Sequence, residues 1–232
     1  MRALFACTLL AALTLPLAAS AYVPSQQNGA FELKFGPYTP NVDEEPGLKK
    51  SGSKPYHDTL GNDWMFLTVL ELDWQIVHMW GMSLGVGGSA GFMQTYAKAK
   101  TPEGVPSSDY TVLNVIPFAI LAVLRVDALA DELNIPFVPY FKAGINWYLW
   151  WVLAGGDTVD KGATPGWQLS PGLMFRLDSF DPMSARTFDN EVGVNHSYIF
   201  GEFTWATVEG FGQGGFMYLS DTTFLIGLAL EF

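Results

Sequence analysis

The sequence predicts an all-β fold, an antiparallel up-and-down barrel of about eight strands with four longer connections on one side. Three observations carry that prediction. Along most of the chain apolar side chains alternate with small or polar ones, the period of two that an extended strand imposes. The alternating stretches reach roughly ten residues or more, longer than the five or six usual in soluble sheets and close to the nine to eleven that cross a bilayer at a tilt. The connections between them alternate long and short, the habit of a transmembrane barrel. Composition agrees. Of 232 residues 49% are hydrophobic, 15% aromatic and only 15% charged, with 24 Gly and 14 Pro, whereas about 25% of an ordinary soluble domain is charged. Disorder is excluded on those figures. Twelve Lys+Arg against 23 Asp+Glu leave a net charge of -11 with no basic run, which excludes a nucleic-acid partner. A spanning helix needs about 20 apolar residues; beyond the N-terminus the longest candidate, Val115 to Leu124, is too short and runs into Arg125.

The elements follow in order. Residues 1–21 read as a secretory signal peptide: a positive start at Arg2, an apolar stretch from Ala3 to Ala18, and the small ending Ala19-Ser20-Ala21. Cys7, the sole cysteine, falls inside it, so the mature chain, 22–232, has no thiol for a disulfide, a nucleophile or a thiolate metal site. In the first strand Phe31, Leu33 and Phe35 oppose Glu32 and Lys34; in the second Trp64, Phe66, Leu70, Leu72, Trp74 and Ile76 oppose a face carrying Glu71, Asp73 and Gln75. The third is the clearest: Trp80, Met82, Leu84, Val86, Phe92 and Tyr96 share one parity, while the other holds mostly Gly and Ser. Tyr110 to Val126 is apolar on both parities and contains Pro117, a strand with weak facing. Phe141, Ile145, Trp147, Leu149 and Trp151 then oppose Tyr140, Lys142, Asn146 and Tyr148; Trp167, Leu169, Leu173 and Phe175 oppose Gln168, Ser170 and Arg176. Ile199, Phe203 and Trp205 oppose Glu202 and Thr204, and Phe224, Ile226, Leu228, Leu230 and Phe232 oppose Gly227 and Glu231. The long, polar connections lie around Pro37 to Gly61, Ala97 to Asp109, Leu153 to Pro165 and Glu209 to Asp221. On the short side Asp127 to Asn134 and Asp178 to Val194 each have room for a helical turn, with Asp181-Pro182 as cap and first residue.

Alternation alone does not say which face points out, because a soluble lipocalin-like barrel alternates too. The polar faces decide it: they are too poor in charge and too rich in Gly, Ser and Tyr for a solvated exterior, and suit the inside of a narrow barrel. Glu32, Lys34, Glu71, Asp73, Lys142, Arg176 and Glu202, with Glu231, are therefore expected in the lumen, where burial demands that they pair. Lys34 is in reach of Glu71 or Asp73. Trp64, Trp74, Trp80, Trp147, Trp151, Trp167 and Trp205 are expected on the outside as an aromatic girdle at headgroup level. An eight-stranded barrel is only wide enough for side chains to fill, so a polar plug is expected and a diffusion pore is not.

The ending Gly227-Leu228-Ala229-Leu230-Glu231-Phe232 resembles the assembly signal of bacterial outer-membrane barrels at Gly227, Leu230 and Phe232, and departs from it where Leu225 replaces a usual polar residue. The mature chain resembles small barrels of the OmpA or OmpX architectural type. More narrowly, Lys54-Pro55-Tyr56-His57-Asp58, Pro136 to Tyr140 with Lys142-Ala143-Gly144, Trp150-Trp151, Asp189-Asn190-Glu191 and Gly193-Val194-Asn195-His196 resemble a family of outer-membrane barrels common in myxobacteria and their relatives. That resemblance implies a Gram-negative outer-membrane location, contact with lipid and lipopolysaccharide, and delivery by the barrel-assembly machinery. It implies no activity.

Catalysis would have to use three histidines: His57 beside Asp58 in the first outer loop, His78 in the tight inner turn expected at Val77 to Met79, and His196 beside Ser197. Neighbours on a strand point to opposite faces, so His196 and Ser197 need a bulge to cooperate. The stretch around His57 offers too few ligands for a metal. Asp43-Glu44-Glu45 with Lys49-Lys50 reads as a solvated loop. Gly85-Val86-Gly87-Gly88 lies inside a strand with no helix after it, so no nucleotide, flavin or haem cofactor is expected. The reading is a non-enzymatic outer-membrane barrel with a structural or surface-interaction role. Two alternatives remain open on the residues: a lipid-modifying acyl hydrolase or transferase, and a periplasmic lipocalin-like carrier.

Overall fold

The alternating stretches close on themselves. A computed structural model, describing residues 28–61, 64–100 and 106–232, shows one closed barrel in which each strand pairs antiparallel with the next and the eighth returns to the first. The predicted signal peptide, 1–21, lies outside the described residues. The strands are β1 Gly29–Tyr38, β2 Met65–Met79, β3 Met82–Lys100, β4 Pro106–Val126, β5 Phe137–Ala154, β6 Asp157–Arg176, β7 His196–Val208 and β8 Asp221–Glu231. The seam pairs Ala30 through Phe35 with Glu231 through Ile226, and Phe232 adds backbone bonds to Gly29 in both directions, at 2.8 and 2.9 Å. With no free edge, every strand finds its ladder partners inside the sheet, which is what a bilayer core requires.

Both chain ends of the barrel and three connections share the inner end. The β2–β3 connection lies not at Val77 to Met79, which belong to β2, but at Trp80 and Gly81, a two-residue turn with both at positive φ, 55° and 68°. That is the primed geometry whose twist matches the flanking strands, tolerated here by a tryptophan. The β4–β5 connection holds the short helix α3 (Ala128–Asp131) and the β6–β7 connection a helical turn followed by α4 (Pro182–Val192). Asp181 caps α4, its carboxylate accepting from Met183 N at 3.2 Å and Ser184 N at 3.1 Å. In our numbering the first outer connection holds α1 (Pro46–Ser51) and α2 (Pro55–Leu60).

Two of the four expected outer loops are sheet over much of their described length. β5 and β6 continue through Leu153 to Pro165 and turn on Gly155 and Gly156, whose φ values are 60° and 95°. β3 and β4 likewise pair as far as Lys100 and Pro106. Above a membrane both faces of a hairpin meet water, so the apolar alternation that marks a strand is absent and the segment reads as loop. β4 is a strand with definite facing, its odd positions turned inward. Pro117 cannot donate to a ladder; it sits against Gly91, where a Cβ would stand 2.9 Å from the proline ring.

The alternation resolves as apolar outward. In β2 Leu72, Trp74 and Ile76 are about 60% exposed (60%, 61% and 61%) while Glu71, Asp73 and Gln75 between them are buried. This rules out the carrier alternative, which needs the leucines and tryptophans around an internal cavity. The small inward face of β3 has a packing reason: a Cβ on Gly87 would lie 2.2 Å from the Asp73 carboxylate. Large inward side chains of neighbouring strands occupy the space that the glycines leave.

Candidate functional site

The inward face changes character along the barrel axis. On β2 the inward residues run Met65, Leu67, Val69 and then Glu71, Asp73, Gln75. The outer half of the lumen is an apolar layer in which Tyr38, Met65, Leu67, Val69, Met93, Leu113, Val115, Tyr148 and Leu225 pack together. The Tyr38 hydroxyl donates to the Leu219 carbonyl, tying the layer to the last outer loop. The inner half is ionic.

Its centre is built on two lysines. Lys34, from β1, donates to both carboxylate oxygens of Glu202 on β7 at 3.1 Å and lies 2.8 Å from Glu71. Lys142, from β5, reaches across the lumen to Glu32 at 2.6 Å and also donates to Glu71. Asp73 is 3.4 Å and Glu202 4.0 Å from the same ammonium. Glu202 further accepts from the hydroxyls of Tyr140 at 3.1 Å and Thr204 at 3.0 Å. None of these six charged residues is more than 4% exposed. Carboxylate oxygens of Glu32, Glu71 and Asp73 lie within 4.8 Å of one another, the spacing a metal ion would use. The Lys142 ammonium lies within 4 Å of all three acids, so the trio has its cation supplied by the chain. The balance is uneven: four carboxylates face two ammoniums, and neither oxygen of Asp73 accepts a hydrogen bond.

A second group lies nearer the inner mouth. Arg125 Nη1 donates to Glu231 Oε1 at 3.1 Å, Gln75 donates to the same oxygen at 2.6 Å, and the Tyr198 hydroxyl donates to Oε2 at 2.6 Å. His78 Nε2 is 2.8 Å from Gln75 Oε1, a bond in which the ring donates. Arg176, expected among the lumen charges, lies at the inner mouth, bonded to Asp131 at 2.8 Å, with its guanidinium 5.9 Å from the centre of the Tyr198 ring. Arg125, Tyr140 and Tyr198 escaped the sequence reading as members of these networks. For Arg125 the signal was present, since it shares odd parity with Leu121 and Val123, and a strand charge beside otherwise apolar faces marks the inward one.

On the outside Trp64, Trp74, Trp80, Trp147, Trp167 and Trp205 are exposed and Trp151 is half-buried. Trp64 precedes the outer end of β2, whereas Trp74 and Trp80 lie toward its inner end. Of the assembly-signal residues, Gly227 faces inward and makes room for Phe200, whose ring a Cβ would meet at 2.6 Å; Phe232 lies over Gly29 and Leu230 is half-buried.

The histidines form no catalytic set among the described residues. His57 starts no relay: its backbone amide donates to Asp43 at 3.0 Å and its exposed ring is 3.3 Å from Asp58. His196 and Ser197 do converge, but on Asp178, which accepts from His196 Nδ1 and from both the amide and the hydroxyl of Ser197, each at 3.2 Å. A nucleophile must give its proton to the base; here the hydroxyl goes to the carboxylate, a clamp on the turn before α4. Burial would raise the Asp178 carboxyl, yet these bonds outweigh it and hold it below its usual range.

A closed antiparallel cylinder, apolar outside and ion-paired within, defines the class of small membrane-spanning β-barrels with a filled lumen. No protein-family model and no curated protein matches the chain. Among solved structures, the attachment invasion locus protein Ail of Yersinia pestis, in complex with the heparin analogue sucrose octasulfate, is similar over 89% of this chain and 99% of its own, at 10% identity and a TM-score of 0.48. Neisserial surface protein A is similar over 91% of this chain and 100% of its own, at 10% identity and a TM-score of 0.48.

Proposed function

We propose that the chain is an integral outer-membrane barrel, non-enzymatic and closed to diffusion, that presents its outer hairpins and loops to the cell's surroundings. The observation carrying this is the inversion of polarity: exposed Trp and Leu surround buried Lys34, Lys142 and four carboxylates, an arrangement costly in water and suited to lipid. What supports closure is the filling of the lumen, an apolar layer stacked on an ion-paired one. Lipid and lipopolysaccharide would meet the aromatic exterior, and the ending at Phe232 would be read by the assembly machinery. The resemblance to myxobacterial outer-membrane barrels fits this reading.

The test uses the mature chain folded in detergent and vesicles. A folded barrel should migrate differently boiled and unboiled, pass no steady current in a planar bilayer, and on whole cells be cut by protease only in outer segments such as Lys49-Lys50. A water-soluble monomer, or cleavage of intact cells at Arg186, would overturn the assignment. The acyl-enzyme alternative predicts loss of a lipid product in His196→Ala; on the geometry of the Asp178 clamp that variant should leave the lipids unchanged.

A further inference from the structure

At the outer end, a cavity of about 460 Å³ opens between the first loop, the projecting strands and the last loop. Leu48 of α1, Tyr56 and Leu60 of α2, Trp150 of β5, and Phe216 and Met217 of the β7–β8 loop form its main walls. Those walls are braced. Asp43 accepts from the amides of Tyr56 at 2.8 Å and His57 at 3.0 Å, fixing the start of α2. Trp150 Nε1 donates to Thr164 Oγ1 at 3.3 Å, and that hydroxyl donates to the Met217 carbonyl at 3.0 Å. A site held in this way needs little ordering when a ligand arrives.

The charged side chains that line it are Glu45 and Asp160, both acids, with no Lys or Arg among the lining residues. Asp160 accepts at one oxygen from the Lys161 amide at 2.8 Å. Apolar and aromatic walls under two carboxylates suit one chemistry. We propose that this cavity binds a small amphiphilic cation, an apolar body of drug-like size carrying an ammonium group: the body packs among Leu48, Leu60 and Met217, and the cation meets Glu45 and Asp160 with the aromatic faces nearby. The same carboxylates disfavour phosphate and carboxylate ligands, so an anionic amphiphile is not the occupant.

The proposal deepens the surface-facing reading and rests on it for access from outside. Binding is therefore measured on the purified full barrel in zwitterionic nanodiscs, where orientation in the cell plays no part. The probes are 4-phenylbutyl-trimethylammonium and the anion 5-phenylpentanoate, followed by equilibrium dialysis against empty discs. The cation should bind at least tenfold more tightly than the anion. In the double variant Glu45→Gln, Asp160→Asn that preference should vanish, while Glu44→Gln, altering a neighbouring acid outside the cavity, should keep it; boiled and unboiled mobility confirms that each variant is folded. Leu48→Trp, which narrows the cavity from one wall, should weaken binding of the cation. Equal affinity for the two probes, no binding of the cation, or a preference that survives the double variant would each overturn the proposal. None of those results would bear on whether the barrel spans the membrane.

Discussion

Replacing Lys142 by methionine keeps most of the side-chain volume and removes the ammonium around which Glu32, Glu71 and Asp73 gather. With every member ionised, four carboxylates and two lysines sum to a charge of -2; Lys142→Met makes it -3, and Asp73→Asn makes it -1. The two substitutions thus push in opposite directions although both break the same ion pair. Removing one partner of a buried pair costs about 3–5 kcal/mol because the other is left uncompensated. Lys142 serves several acids at once, so the upper part of that range is expected. Asp73 accepts no hydrogen bond, and its loss relieves like-charge repulsion, so Asp73→Asn should cost less than about 1 kcal/mol or stabilise. Urea unfolding from detergent, followed by tryptophan fluorescence, reads the difference. With a slope of about 2–3 kcal/mol/M the Lys142→Met midpoint should fall by roughly 1.3–2.5 M while that of Asp73→Asn stays in place or rises. If Asp73→Asn is as damaging as Lys142→Met, the uneven balance does not exist and the reasoning fails.

Three further variants address other parts of the barrel. Gly144→Val should abolish the compact unboiled band, since even a Cβ at that position would lie 2.0 Å from the Ile120 carbonyl on β4, whereas Gly88→Ala, which meets open space on the outer face, should leave it intact. The Asp178 clamp has a defined pH sign. A carboxyl whose folded pKa is lowered contributes fully above its unfolded value of about 3.9 and loses that contribution as the pH falls through the folded value. Protection factors for hydrogen exchange across 177–197, each taken against the intrinsic rate at its pH, should accordingly fall below about pH 4; Asp178→Asn should show the low protection already at neutral pH and lose the acid dependence. Unchanged protection in that variant would show that the clamp does not hold the turn.

Much of the architecture could be read from the chain because a bilayer punishes misplaced polarity on every lipid-facing residue. β2 and β3 declare their facing in the contrast of Leu72, Trp74 and Ile76 with Glu71, Asp73 and Gln75, and of Val86 and Phe92 with Gly85, Gly87 and Gly91. β4 stayed ambiguous for a physical reason: its inward Leu113, Val115, Leu121 and Val123 are themselves apolar and buried. The β5–β6 projection was read as loop because Asp157 to Lys161 lies where alternation has no work to do. In the ionic centre, the residues were legible by parity but their partners were not. Lys142 meets Glu32 and Glu71 on β1 and β2, across the lumen from β5, and no register relation between adjacent strands encodes a contact through the middle of a cylinder.

The stacking of an oily layer above a salted one means that any passage through this cylinder would meet two unlike obstacles. Acid that neutralised the inner acids would leave the outer tyrosines, methionines and leucines still interlocked; an agent that loosened those would meet lysines gripping their counter-charges below. A leak therefore asks for two failures of different chemistry, and acid alone supplies only one of them.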